Sequence, residues 1–207
     1  MLKIWGRASS VNVRKVLWCC EELGVPFERV DAGMQYGVVN TPEYRKLNPN
    51  GLVPTIEEDG FVLWESHAIV RYLSAKHGAG TLWPTDLRVR ADADRWMDWA
   101  GSSFLPTFRP VFWGLVRTPP EKRDMKAIGE AAKKCGELAG YVDTALAGGR
   151  PFIAGEQLTM GDIPLGCHLH LWLNLPLERP VYANLAAWHK RLLERPAFDK
   201  WVNTKIS

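Results

Sequence analysis

Apolar and polar positions in the first part of the chain switch between strand and helix periods. Leu2-Lys3-Ile4-Trp5 alternates and ends at Gly6, the two-residue period of a strand. Val13, Val16, Leu17 and Cys20 then recur at three- and four-residue spacing, predicting a helix that starts near Asn12 and stops at Gly24. Phe27-Glu28-Arg29-Val30-Asp31 predicts a second strand, so strand–helix–strand makes a parallel unit with a right-handed crossover. Thr41-Pro42-Glu43 opens a short helix, with a capping residue followed by proline at the first helical position. Two short apolar runs, ending at Ile56 and starting at Phe61, flank Asp59-Gly60, a strong hairpin signal. The second run passes into Glu65-Ser66 and the helical pattern Ala68, Ile69, Tyr72, Leu73, which Ser66 can cap.

From Asp86 the pattern is helical throughout. Val89, Ala93, Trp96, Ala100, Ser103 and Phe104 share one face of a long helix that Pro106 and Pro110 interrupt. A second apolar stripe runs from Met125 to Leu146 and stops at Gly148-Gly149. Thr159-Met160-Gly161-Asp162 has the form of a capping box with Asp in place of Glu, and Leu158 and Ile163 are placed as its hydrophobic staple. Asn184 to Leu193 and Pro196 to Val202 predict two closing helices. The expected division is an α/β domain over residues 1–77, a linker over 78–87, and an all-α domain over 88–207.

Composition narrows the picture further. A hydrophobic content of 46% with 24% charged residues is that of a soluble globular protein, and a net charge of +3 spread along 207 residues gives no nucleic-acid or polybasic-membrane footprint. No apolar run approaches the roughly 20 residues of a membrane span, and Gly6-Arg7 follows the first strand too early for a signal-peptide core. Four cysteines without zinc-type spacing point to reduced thiols and a cytoplasmic location. His168 and His170 have no metal-ligand spacing and read as packing or surface residues, so no metal is expected.

The order βαβ, α, ββα is a thioredoxin-like arrangement. Within it, Asn48-Pro49-Asn50-Gly51-Leu52-Val53-Pro54, then strand–turn–strand, then Glu65-Ser66 before a helix resembles the glutathione-binding half of the glutathione transferase family. The capping box in an all-α second half extends that resemblance over essentially the whole chain. It implies a cis Val53–Pro54 bond and a Val53 backbone that pairs with the cysteinyl backbone of glutathione. It also implies a Leu52-Val53-Pro54 edge together with Glu65 and Ser66 for the γ-glutamyl group. Glutathione is then the co-substrate, a hydrophobic electrophile the second substrate, and a homodimer the assembly.

The same resemblance implies a thiolate-stabilising hydroxyl in the loop after the first strand. A thiol of pKa about 8.5 is only a few per cent ionised at neutral pH, and lowering that value by two units takes about 2.7 kcal/mol. A hydroxyl donor backed by helix-terminal N–H groups can supply it. Counting back from Arg14 lands on Ser10, with Ser9 one residue away and Asn12 as a possible second donor. No cysteine occupies the loop, which argues against thiol–disulfide exchange; Cys19 and Cys20 fall mid-helix. Among the ten tryptophans and other aromatics, Phe104, Phe108, Phe112 and Trp113 with Arg109 suit a cleft for a hydrophobic electrophile carrying a polar or anionic group.

One feature departs from the family pattern: neither Asn40 nor Leu52 is the basic residue or glutamine that many members use for the glycyl carboxylate. Gln35, Tyr36 or a lysine elsewhere would have to substitute, or affinity would be weak. The expected activity is transfer of glutathione to an electrophile, most similar to serine-type, theta-like bacterial members. The alternatives are a glutathione-dependent isomerase, whose Ser-Ser-Cys loop has Val11 in place of the cysteine here, a dehalogenase, and a non-catalytic binding module.

Overall fold

The alternating segments pair into one sheet. In the computed structural model, which describes residues 1–206, β1 (Leu2–Trp5), β2 (Phe27–Val30), β3 (Thr55–Glu58) and β4 (Phe61–Trp64) stand in the order β2-β1-β3-β4. β1 runs parallel to β2 with Leu2 opposite Phe27, and antiparallel to β3 with Ile4 opposite Ile56. Asp59 and Gly60 take φ of 50° and 83°, the pair of positive values that a two-residue hairpin turn requires. β2 ends at Val30, one residue short of the expected strand, because Asp31 turns back to pair with the Arg29 guanidinium.

α1 (Val11–Glu22) differs most from its sequence pattern. Every residue from Val13 to Cys20 is buried, Arg14 and Lys15 among them, where the periodicity marks only one apolar stripe. A helix buried all round needs partners on every side. α3 (Ser66–His77) covers one side and helices of the second half cover the other: a Cβ at Gly166 would meet the Trp18 ring at 2.8 Å, and Phe198 meets that ring edge-on. α2 (Pro42–Leu47) starts as predicted, with the Thr41 hydroxyl accepting from the Tyr44 N–H at 3.3 Å. α3 does not: Ser66 is its first residue, and Glu65, at φ 72°, occupies the capping position without making a side-chain cap.

The second half is all helix. α4 (Leu87–Trp99) and α5 (Leu105–Phe112) run on from one another, so Pro106 and Pro110 do not interrupt the helix as predicted. Pro106, the second residue of α5, removes one N–H from the continuous helix without breaking it. Wide i→i+5 turns at residues 100–104 and 113–117 bracket the proline-bearing segment and take up the remaining misfit. α6 (Met125–Ala145) is capped by the Asp124 carboxylate, which accepts from the Ala127 N–H at 3.0 Å. α7 (Asp162–Asn174) is buried from Asp162 through Trp172 and forms the core of this half; α8 (Ala183–Leu193) and α9 (Pro196–Trp201) close it. His168 and His170 are therefore interior residues, not surface ones.

Asp162 anchors this core. It is fully buried and accepts four hydrogen bonds: from the Ile153 and Thr159 N–H groups at 2.9 Å, the Thr159 hydroxyl at 3.1 Å and the Trp188 indole at 2.9 Å. Burial pushes its pKa up, and the four donors work against that rise. The box thus closes from the carboxylate side, while Leu158 and Ile163 are both buried as the staple requires. Asp162→Ala strands all four donors and is expected to destabilise the protein by at least about 3 kcal/mol. Urea unfolding would register this as a lower midpoint with an unchanged slope.

Candidate active site

A cleft of about 620 Å³ opens where β1 hands over to α1, between the sheet half and the helical half. Ser9, Ser10 and Asn12 all line it. Ser10 sits at the N-cap of α1 with φ −79° and ψ 123°, yet its hydroxyl caps no N–H. Its backbone is committed, donating to the Arg7 carbonyl at 3.1 Å and accepting from the Arg14 N–H at 2.9 Å. The hydroxyl, 8% exposed as a residue, is left to face the cleft beside the open N–H groups and positive dipole end of α1.

Asn12 is oriented by a buried charge. Lys15, 1% exposed, places its ammonium 2.9 Å from Asn12 Oδ1 and 3.0 Å from His67 Nε2. An ammonium can only donate, so the amide oxygen of Asn12 must face it and the NH₂ is turned the other way. The same logic makes His67 Nε2 an acceptor, with the ring's other N–H given to the Met97 backbone. One lysine thereby joins the start of α1 to the start of α3 and, through His67, to α4. Burial lowers Lys15 to about 8, and burial together with Lys15 lowers His67 to about 2.

The opposite wall is the loop before β3. Asn48, 2% exposed, donates to the Leu52 carbonyl at 2.9 Å and to the Thr55 hydroxyl at 3.1 Å, and accepts from the Asn50 N–H at 3.0 Å. The Tyr44 hydroxyl reaches the same Leu52 carbonyl at 2.7 Å. Fastened this way, the loop holds Val53 beside the cleft, ahead of a cis Val53–Pro54 bond. Among the described residues, the Val53 N–H and C=O make no hydrogen bond. They form a free edge of the kind that an extended peptide can extend.

The remaining predicted residues divide. Leu52, Val53, Phe108, Arg109, Phe112 and Trp113 border the cleft. Phe104 does not: it is fully buried, stacked behind Phe108 with ring centres 5.7 Å apart. Pro54, Glu65 and Ser66 also lie outside the cleft lining. Glu65 is exposed, and neither its carboxylate nor the Ser66 hydroxyl has a side-chain hydrogen bond among the described residues. Sequence reasoning passed over Arg7 and Arg117, which also line the cleft, and Arg45, whose guanidinium bonds Asn40 Oδ1 at 3.1 Å and curls under Gly51. Charged residues scattered over three segments carry no spacing signal. Among the described residues no group of three or more histidine, cysteine and carboxylate side chains stands together as metal ligands would, and no helix is long and apolar enough to cross a membrane.

A thioredoxin-like sheet half whose cleft joins an uncommitted serine to an open loop edge, closed by an all-helical half, defines a class, and the comparisons agree. Residues 9–76 match the glutathione S-transferase N-terminal domain and residues 126–191 the glutathione S-transferase C-terminal domain; the chain belongs to the glutathione S-transferase family. It is 41% identical over 209 residues to glutathione S-transferase GstB of Escherichia coli, with all of both chains covered. It is 32% identical to glutathione S-transferase F14 of Arabidopsis thaliana, over 98% of this chain and 81% of that one. In structure it is similar to the theta class glutathione S-transferase of Xanthomonas axonopodis pv. citri with glutathione bound: TM-score 0.95, 48% identity, covering 100% of this chain and 99% of that one.

Two expected outcomes follow from this geometry. Glu65 holds a positive φ that glycine tolerates and alanine does not, so Glu65→Gly is expected to be more stable than Glu65→Ala by about 1 kcal/mol, the reverse of the order inside a helix. Calorimetric melting of the two variants checks it. For Lys15, the folded value near 8 lies below the ordinary 10.5, so the unfolded chain holds the extra proton between those pH values. Stability from this group therefore rises with pH across that window. Relative to Lys15→Met, the wild type should gain on the order of 3 kcal/mol from pH 8 to 10.5, measured by denaturant midpoints.

Proposed function

We propose that the protein conjugates glutathione to a hydrophobic electrophile, with the thiol activated at the start of α1. The observation that carries this reading is the Ser10 hydroxyl, which occupies a helix N-cap and caps nothing. In the mechanism it donates to the glutathione sulfur, the Asn12 NH₂ turned away from Lys15 seconds it, and the α1 dipole favours the negative charge. Ser9 in the same loop is the third possible donor. The sulfur then attacks carbon: the C–S bond forms, the bond to the leaving group breaks, and that group departs with its electron pair.

The rest of glutathione follows from the free groups. Val53 pairs with the cysteinyl backbone, beside Leu52 and the cis Pro54, while Glu65 takes the γ-glutamyl amine and Ser66, with the first N–H groups of α3, takes its carboxylate. At the glycyl end Asn40 lines the cleft with Arg45 bonded behind it, which supplies the cation that Asn40 and Leu52 lack. Residues 1–77 would serve as the glutathione half, 78–87 as the connection, and 88–207 as the electrophile half, with Phe108, Phe112 and Trp113 as its wall. A homodimer in the cytoplasm fits the family, and exposed Phe61 and Trp64 on β4 and Leu87 and Val89 on α4 offer apolar surface for it. The cations at both ends of the cleft weigh against the binding-module alternative.

The test is the ultraviolet thiolate absorbance of the glutathione complex across pH. The bound thiol is expected to titrate about two units below its free value of about 8.5, and Ser10→Ala to raise that pKa by about a unit or more. A bound thiol with an unshifted pKa would overturn activation. A shift lost in Ser9→Ala or Asn12→Ala but kept in Ser10→Ala would move the role to that residue.

A further inference from the structure

The cleft has an electrostatic character that binding of a neutral hydrophobic electrophile does not require. Arg7, Arg14, Arg109 and Arg117 line it, and among the described residues no aspartate or glutamate does. Arg14 is occupied by structure, donating to the Ala8 and Lys205 carbonyls at 3.0 and 3.3 Å. Neither Arg7 nor Arg109 makes a side-chain hydrogen bond or ion pair among the described residues. Elsewhere two partly buried arginines are neutralised by acids, Arg195 by Glu22 at 2.6 Å and Arg71 by Asp94 at 2.6 Å and by Asp98, while Arg179 gives its guanidinium to the Leu173 and Leu175 carbonyls. Arg7 has no such acid among the described residues, and its Nε is buried without an acceptor. It lies over Gly33, where a Cβ would stand 3.0 Å from Nη1, and it faces Arg117 closely enough for the two charges to repel. Arg109 stacks over the Trp113 ring at 5.6 Å on the opposite, helical wall.

A half-buried guanidinium in an open cleft, with a buried N–H that no protein group meets, is a ready partner for an anion when the site is in use. The planar fork of arginine favours an oxyanion of matching geometry, a carboxylate above all. The stacked rings alongside supply the apolar contact. We propose that the preferred electrophile is an amphipathic anion, an aromatic or similarly apolar group bearing a carboxylate, which Arg7 and Arg109 grip while the sulfur attacks. This rests on the transferase reading and adds its substrate class. Arg7 and Arg109 act in binding and orientation, without touching the bonds that form and break.

The test compares 4-(chloromethyl)benzoate with 4-(chloromethyl)benzamide, which offer the same carbon and the same leaving chloride and differ in charge. With glutathione saturating, kcat/KM for the benzoate is expected to exceed that for the benzamide by about tenfold or more. The ratio should fall towards one in Arg7→Gln, fall in Arg109→Gln, and shrink as salt is raised. The loss should be carried by the KM of the benzoate. Equal kcat/KM values in the wild type, or a preference that neither variant changes, would overturn the proposal. So would a loss in Arg7→Gln carried by the KM of glutathione for both electrophiles, which would give Arg7 to the glycyl carboxylate instead. Turnover of neither compound, with the bound thiol unshifted, would be a failure of the transferase reading. Calorimetry with 4-methylbenzoate and 4-methylbenzamide then decides the subsite alone: about tenfold tighter binding of the carboxylate, lost in Arg7→Gln, supports it, and equal affinity sinks it.

Discussion

A single positive charge withdrawn from water sets the conditions for the rest of this molecule. The Lys15 ammonium is unfavourable where it sits unless acceptors stand at the right distances, and it finds them on Asn12 and His67. To offer those acceptors, α1 and α3 must begin beside one another, and α4 must lie close enough for its Met97 carbonyl to take the other imidazole N–H. Gly101 belongs to the same fit, since a Cβ there would stand 3.2 Å from the His67 ring. The starts of α1 and α3 are therefore not placed by side-chain caps of their own. Neither Ser10 nor Glu65 caps with its side chain, and both are left available for other work.

That division between holding and working groups recurs around the cleft. Asn48 and Tyr44 spend their hydrogen bonds on the loop, so Val53 spends none of its own. Asp162 ties Ile153, Thr159 and Trp188 together at the foot of α7, so the wall formed by the second half needs no polar contact in the cleft to stay in place. Glu65 holds φ 72° next to an open helix start, an arrangement of order 1–3 kcal/mol that persists only where surrounding structure over-determines it.

How much of this was legible in the sequence depended on whether a feature leaves a periodic or local trace. The strands, the Asp59-Gly60 turn and the Thr41-Pro42 start are local, and each fell within a residue of where its residue types put it; the Thr159–Asp162 pair also formed, with Asp162 as the first residue of α7. So did the loop from Asn48 to Pro54, whose glycine and proline positions carry strong conformational meaning. Features produced by the packing of one half on the other left no such trace. The periodicity marked only the Val13–Cys20 stripe and gave no sign that Lys15 and Arg14 are buried, because it cannot show that α1 is covered on every side. Phe104 and Phe108 look equivalent at four-residue spacing, yet only Phe108 borders the cleft. Pro106 and Pro110 read as breaks because the wide turns that accommodate them have no composition of their own.

The arginines show the same limit from the side of function. Arg7 lies in the loop after β1, while Arg109 and Arg117 lie on or just beyond α5, and nothing in the spacing joins them. Folding makes them neighbours by closing the helical half over the sheet half, and the low-dielectric walls on either side focus their field in the cleft. On the proposed placement, a site built this way would hold the thiolate end of glutathione and face the electrophile with cations. A thiolate held there would be stabilised by that field, since every nearby positive charge favours S⁻ over SH. An anionic electrophile would then partly neutralise the field at the moment of approach, raising the reactivity of the sulfur it meets. Removing Arg7 should consequently weaken the carboxylate, a loss that falls on the anionic electrophile alone, whereas any weakening of the thiolate falls on both electrophiles alike and leaves their ratio to report the carboxylate.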